Sequence, residues 1–150
     1  MRTIKIKFKW DPEDKETKKT KLPAYTNPGD AGLDLRSTID FTLQPGEVVK
    51  IPVGWAIELP PGYEGQIRPR SGLAWKHGVT VVNAPGTIDE GYRDEIKVLL
   101  INFGKSVFYG RAGDRVAQLV IVPVPRIIPV EVSSLTMTTR GKRGIGSTGI

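Results

Sequence analysis

The chain has 150 residues, 39% hydrophobic and 25% charged, which suits one domain with a buried core and leaves no apolar run near the roughly 20 residues of a membrane helix. With no cysteine and one histidine, His77, it excludes a disulfide scaffold and a thiolate nucleophile, and it supports neither a typical zinc site nor a Ser-His-Asp triad. The formal charge of +6 points to an anionic partner, either nucleic acid or a nucleotide triphosphate.

The first residues, Met1-Arg2-Thr3-Ile4-Lys5, alternate instead of forming an apolar signal segment, so a cytoplasmic protein with no membrane partner is expected. Ile4, Ile6, Phe8 and Trp10 alternate with Lys5, Lys7 and Lys9, the pattern of a half-buried strand. Lys15, Lys18, Lys19 and Lys21 add to this basic start, which a lysine-rich edge or solvated arm explains. Phe8 and Trp10 read as the buried face of that strand and not as stacking platforms, so no nucleic-acid partner is expected. Asp11–Lys21 is a charged connection, and Leu33-Asp34-Leu35 begins a second short strand.

Thr42-Leu43 and Val48–Val53 predict a hairpin around the Pro45-Gly46 turn. Trp55–Leu59 predicts another strand, ended by Pro60-Pro61-Gly62, and Gly65–Arg68 a further one. Ser71–His77 predicts the one helix, with Ser71 as its N-cap. Strands are then expected at Val79–Val82, Ile96–Asn102, Arg115–Val122 and Ile127–Val132. Many short strands with Gly/Pro turns make an all-β sandwich or barrel. No repeat and no second domain is visible: residues 1–150 read as one unit, with an N-terminal strand and charged connection over 1–23. The stretch 136–150, rich in Gly, Ser, Thr and Arg, reads as a tail that stays mobile until something binds it.

The stretch Asn83–Glu95, N-A-P-G-T-I-D-E-G-Y-R-D-E, organises the rest. It lies between two predicted strands and reads as a hairpin with a functional tip. Gly86 lets the backbone approach a ligand. Its carboxylate Asp89 is a candidate base, but Glu90, Asp94 and Glu95 rival it on sequence alone. Four more motifs surround it in order: Ala31-Gly32-Leu33-Asp34-Leu35, Arg68–Ala74, Gly113–Leu119 and Arg140–Gly149.

Over about residues 24–149 this set resembles the trimeric deoxyuridine triphosphatase (dUTPase) family, which hydrolyses dUTP to dUMP and pyrophosphate. The resemblance implies a jelly-roll β barrel or sandwich and a homotrimer with shared active sites. It makes Asp89 the base that orients the water attacking the α-phosphorus, so that uracil is kept out of DNA and dUMP is supplied for thymidylate synthesis. It places Asn83, Gly86 and Ile88 at the uracil and Tyr92 under the deoxyribose, where ring bulk excludes a 2′-hydroxyl. Arg70, Ser71, Gly72 and Gln118 take the phosphates. The Arg140–Gly149 arm closes over them, with Arg140, Gly146, Ser147 and Thr148 on phosphate and Ile145 over the base. Mg²⁺ is the implied cofactor, carried on the phosphates, with Asp34 reaching it through water.

Three positions depart from the family pattern. Ile145 stands where an aromatic is usual, and Arg143 and Asp94 stand where glycine is usual. The related dCTP deaminases typically carry a glutamate in the strand after the hairpin and a tryptophan at the position of Tyr92. Ile96–Asn102 has no carboxylate, which argues against deamination. A nucleotide-binding regulatory trimer is the non-enzymatic alternative, and the presence of Asp89 speaks against it.

Overall fold

The computed structural model describes residues 3–149; expectations that fall on Met1, Arg2 and Ile150 lie outside them. Among the described residues there are ten strands and one short helix. The strands are β1 (Lys7–Trp10), β2 (Leu33–Arg36), β3 (Phe41–Leu43), β4 (Val48–Glu58), β5 (Tyr63–Arg68), β6 (Val79–Val81), β7 (Gly86–Ile88), β8 (Glu95–Asn102), β9 (Phe108–Gly110) and β10 (Arg115–Pro123). The helix α1 (Ser71–His77) joins β5 to β6. One sheet runs β1-β4-β8-β6, a second runs β2-β10-β5-β7, and β3 pairs with β9. The sheets stay open, as a jelly-roll-like sandwich.

Period-two sequence fills the space between the sheets. In β8, Ile96, Val98, Leu100 and Asn102 are buried, and the residues between them are partly covered. Ile96, Val98 and Leu100 join Leu35, Ile51, Val53, Ile67, Ile88 and Leu119 in one apolar cluster that draws on both sheets. Truncating any of these large side chains to alanine costs about 2–5 kcal/mol.

The predicted hairpin at Pro45-Gly46 exists as a turn but not as a strand pair. Glu47 N–H donates to the Gln44 carbonyl at 3.0 Å, yet β3 pairs with β9, and β4 pairs with β8 and β1. Asn102 is the cause. Its buried side chain donates to the carbonyls of Leu43 and Ser106 at 2.9 Å each and accepts from Gly104 N–H at 2.8 Å, so Leu43 is drawn toward the end of β8. The predicted separate strand Trp55–Leu59 continues β4 across a bulge between Pro52 and Ala56. Gly54 sits in that bulge at φ 76°, a left-handed conformation that glycine adopts freely. The Trp10 ring packs against the same spot, and Trp10 meets Trp55 edge to face at 5.3 Å.

The predicted strand at Ile127–Val132 is absent. These residues are exposed, and residues 124–149 carry turns but no strand. Apolar alternation there has no neighbouring strand in the same chain to bond to. The basic N-terminal region is largely paired off locally: Lys7 with Glu58 at 2.7 Å, Lys9 and Lys15 with Asp11, and Lys19 above the Trp55 ring at 5.1 Å. No helix among the described residues is long and apolar enough to cross a membrane.

Candidate active site

Three of the sequence motifs meet at one cavity of about 270 Å³, lined by Asp34, Arg70, Ser71, Gly72, Arg115 and Gln118, with Thr26 and Gly32 beside them. The strands explain the meeting: Gln118 of β10 sits in register with Asp34 of β2 on one side and Arg68 of β5 on the other. Arg70 then lies where β5 ends and α1 begins. Its backbone is extended and it is the N-cap of α1, without a side-chain cap bond, so Ser71 is the first helical residue and not the predicted cap. The leading amides of the helix therefore lack an intrahelical acceptor.

Arg70 donates to the Arg115 carbonyl at 3.1 Å and stands 3.9 Å from the Asp34 carboxylate. Burial, and next the neighbouring Arg115 charge, press its pKa down from the usual arginine value. Guanidinium groups crowded in this way gain from a bound anion. Gln118 donates to the Pro69 carbonyl at 2.9 Å, which fixes the strand-to-helix turn. Gly32 makes room for it: a Cβ there would stand 2.9 Å from the Gln118 Cβ and collide with its amide oxygen. Asp34 accepts from the Thr26 hydroxyl at 2.6 Å and faces Arg115 at 3.5 Å. Thr26 and Arg115 are partners that sequence reasoning missed. Arg115 was legible as the residue after Asp114 in the Gly113–Leu119 motif, but its reach to Asp34 depends on the β2–β10 register.

The central motif makes a second, smaller pocket of about 160 Å³, lined by Asn83, Gly86, Ile88, Tyr92, Ile96 and Lys97. Asn83–Glu95 is not a simple hairpin tip. β6 and β8 do pair, with Val79 opposite Asn102, but β7 leaves them and pairs with β5 in the other sheet. The segment thus spans both sheets. Gly86 lies opposite Ile67, and a Cβ on it would approach the Ile67 Cβ to 3.2 Å, so a side chain there would press on Ile67. Tyr92 is half-buried against the core, and its hydroxyl donates to the Glu95 carbonyl at 2.7 Å. Burial, above all, raises its pKa, so the hydroxyl stays a donor. Lys97 was not foreseen here; it pairs with Glu13 at 2.9 Å.

Asp89 follows β7 directly and is exposed, on a turn closed by Tyr92 N–H donating to its carbonyl at 3.0 Å. The structure separates it from its sequence rivals. Glu90 accepts the Gly62 amide at 2.9 Å and pairs with Arg126 at 3.1 Å. Asp94 accepts the Glu95 amide at 2.7 Å. Glu95 is buried, and its two carboxylate oxygens accept the amides of Gly54 at 2.6 Å and Glu13 at 3.0 Å. Glu95 also begins β8, one residue before the expected start of the strand, while Ile96–Asn102 carry no carboxylate; the two Glu95 oxygens are engaged by amides.

The tail residues lie apart from both pockets. Arg140, Ile145, Gly146, Ser147 and Thr148 are exposed, and none lines either cavity. Arg140 and Arg143 donate to each other's carbonyls at 3.1 Å. Gly141, Gly146 and Gly149 take positive φ. Among the described residues no group of three His, Cys, Asp or Glu side chains could hold a metal ion.

A sequence model of the dUTPase family matches residues 18–149. A deoxyuridine 5′-triphosphate nucleotidohydrolase of Gloeothece citriformis is 56% identical over 129 residues, covering 86% of this chain and 89% of that one. Among solved structures, the Staphylococcus bacteriophage 80alpha dUTPase with dUPNHPP superposes with a TM-score of 0.84 at 25% identity, covering 99% of this chain and 100% of that one. A dUTPase variant from phage phi11 of S. aureus, described with a structural Mg(II) ion, superposes with a TM-score of 0.76 at 23% identity, covering 87% and 98%.

Proposed function

Because the chain belongs to the dUTPase family, we propose that it hydrolyses dUTP to dUMP and pyrophosphate, removing a source of uracil in DNA and supplying dUMP for thymidylate synthesis. The observation that carries this reading is the meeting of Asn83, Gly86, Ile88 and Tyr92 around one small pocket, with the exposed carboxylate of Asp89 directly after Ile88 in the chain.

The reaction needs a positioned water, neutralised phosphate charge and alignment. Asp89 orients the water and takes its proton as the oxygen attacks the α-phosphorus; the bond from that phosphorus to the bridging oxygen breaks and pyrophosphate leaves. Asn83 offers a donor and an acceptor to the uracil edge. The bare backbone at Gly86, with Ile88, leaves no space for a thymine methyl. Tyr92 packs under the deoxyribose and rejects a 2′-hydroxyl. Arg70, Ser71, Gly72 and Gln118 hold the phosphates.

Magnesium fits this site as an ion carried on the phosphates. Asp34 is a carboxylate of the cavity wall, and its bonds to Thr26 and Arg115 suit contact through water instead of direct ligation. Bound there, Mg²⁺ would supply charge neutralisation for the leaving pyrophosphate.

We read the chain as one dUTPase-like domain, with the N-terminal strand and connection over 1–23 and a phosphate-closing arm over 136–150. It acts as a homotrimer whose sites are shared between subunits. What supports this is that neither pocket is lined by the arm of its own chain. The arm would bring Arg140, Gly146, Ser147 and Thr148 to phosphate and Ile145 to the base, where it covers the ring without the aromatic pair term of about 0.5–1.5 kcal/mol.

The test is turnover of dUTP against dCTP and dTTP, with and without Mg²⁺. Pyrophosphate from dUTP alone is the expected result. Ammonia from dCTP would make the protein a deaminase, and tight binding without turnover a regulator.

A further inference from the structure

Glu95 is a charged side chain that the reaction above does not use, although it is only 1% exposed. A buried carboxylate is tolerated only when its oxygens are hydrogen-bonded. Here both bonds come from backbone amides of separate parts of the chain: Gly54 in the β4 bulge at 2.6 Å and Glu13 in the N-terminal connection at 3.0 Å. The main chain of Glu95 is engaged as well. Its amide donates to Asp94 at 2.7 Å, and its carbonyl accepts the Tyr92 hydroxyl at 2.7 Å. Tyr92 is half-buried, so its ring has one anchored end and one packed face.

We propose that Glu95 is a positioning residue for sugar selection: by clasping Gly54 and Glu13 it fixes the carbonyl that holds the Tyr92 ring at the angle that excludes a 2′-hydroxyl. The inference rests on the reading of Tyr92 as the sugar guard. A carboxylate suits the clasp because it only accepts, and both partners only donate. The isosteric Glu95→Gln must turn an NH₂ toward one of those amides, donor against donor, which loosens one arm of the clasp without changing side-chain volume. Loss of the clasp lets the strand start at Glu95 shift, and the Tyr92 hydroxyl follows its acceptor. The consequence is admission of UTP, which a staple serving stability alone would not cause.

The experiment compares kcat/KM for dUTP and UTP in the full-length wild type, Tyr92→Ala, Tyr92→Phe, Glu95→Gln and the Glu95→Gln/Tyr92→Phe double variant, with thermal melting alongside. Tyr92→Ala is expected to lose the preference for dUTP. Glu95→Gln and Tyr92→Phe should each lower the dUTP/UTP ratio on the order of tenfold, the value of one misplaced hydrogen bond. The double variant should be no worse than either single one, because both act through the same bond. A Glu95→Gln protein with the wild-type ratio, however far its melting temperature falls, overturns the proposal and leaves Glu95 a stabilising clasp. A wild-type ratio in Tyr92→Phe overturns it too, and that variant decides alone should Glu95→Gln give no folded protein. If Tyr92→Ala keeps the ratio, the guard reading falls and takes this one with it; if only Tyr92→Ala loses it, the guard stands and the role of Glu95 falls.

Discussion

Glu90 accepts the Gly62 amide at 2.9 Å, which ties the turn carrying Asp89 to the turn between β4 and β5. The same carboxylate oxygen meets Arg126 at 3.1 Å, and Val124 N–H donates to the Gly62 carbonyl at 2.8 Å. The turn carrying Asp89 and the root of the C-terminal tail therefore share one fastening. The Gly62 amide above all holds the Glu90 pKa below its ordinary carboxylate value, against the opposing effect of burial and with a further lowering from Arg126. A depressed folded pKa means that the ionised form stabilises the fold. That contribution is complete above the unfolded value of about 4.3 and is lost as pH falls through the lower, folded value. Glu90→Gln should therefore melt below wild type at about pH 7, with a gap that closes as pH falls below the unfolded carboxylate value and through the lower, folded one. Melting scans across that range check it; a gap independent of pH would show that side-chain shape, not charge, matters at this position.

Asp89→Asn should fold normally, because the Asp89 side chain is exposed and its turn is closed by a backbone carbonyl. Nucleotide binding should persist while kcat falls by roughly 10²–10⁴, the usual value of a positioned base. Single-turnover kinetics together with a binding isotherm make the measurement, and near-normal turnover removes Asp89 from the mechanism.

Gly32 and Gln118 make a sharper test of the cavity beside Arg70. Gly32→Ala puts a methyl where the Gln118 side chain lies, 2.9 Å from its Cβ, which cannot swing away as a side-chain end could. Gln118 must then leave the Pro69 carbonyl, and the start of α1 with Arg70 loses its brace. Overpacking of this kind costs about 1–3 kcal/mol. The expected outcome is a lower melting temperature and a KM for dUTP raised more than kcat is lowered. Unchanged KM would separate Gln118 from phosphate binding.

The elements written in local pattern were legible in the sequence. The alternation of β1 and β8, the helix Ser71–His77 and the turn at Pro45-Gly46 all read directly from spacing. What escaped depends on partners distant along the chain. β3 looks like a hairpin arm until the buried Asn102 side chain binds Leu43. β7 looks like part of a loop until β5 pairs with it. Phe108–Gly110 is too short to signal a strand by itself and forms one only against Phe41–Leu43. The same holds at the site. Arg70, Ser71, Gly72 and Gln118 were recognisable as motifs, whereas Lys97, Arg115 and Thr26 enter through register and pairing. Glu95 looked like a rival base because a sequence does not show that its oxygens meet two amides.

Shared sites lead to the final prediction. The arm residues Arg140, Ile145, Gly146, Ser147 and Thr148 line neither pocket of their own chain, and the Arg70 cavity and the Tyr92 pocket have no lining residue in common. In the proposed trimer, one complete site would draw Asp89 from one subunit, Arg70, Ser71 and Gln118 from a second, and the arm from a third. An exposed glycine-rich arm loses conformational entropy on closing, and contacts from its amides and arginine to the triphosphate offset that loss. A chain truncated before Arg140 should therefore be a folded trimer with almost no activity, as should Asp89→Asn. Unfolding the two together and refolding them should recover part of the activity, because some mixed trimers pair Asp89 of the truncated chain with the arm of the full-length Asp89→Asn chain. Mixing the folded parents without exchange should recover none. If co-refolded trimers stay as inactive as their parents, Asp89 and its arm belong to one chain, and the sites are not shared in this way.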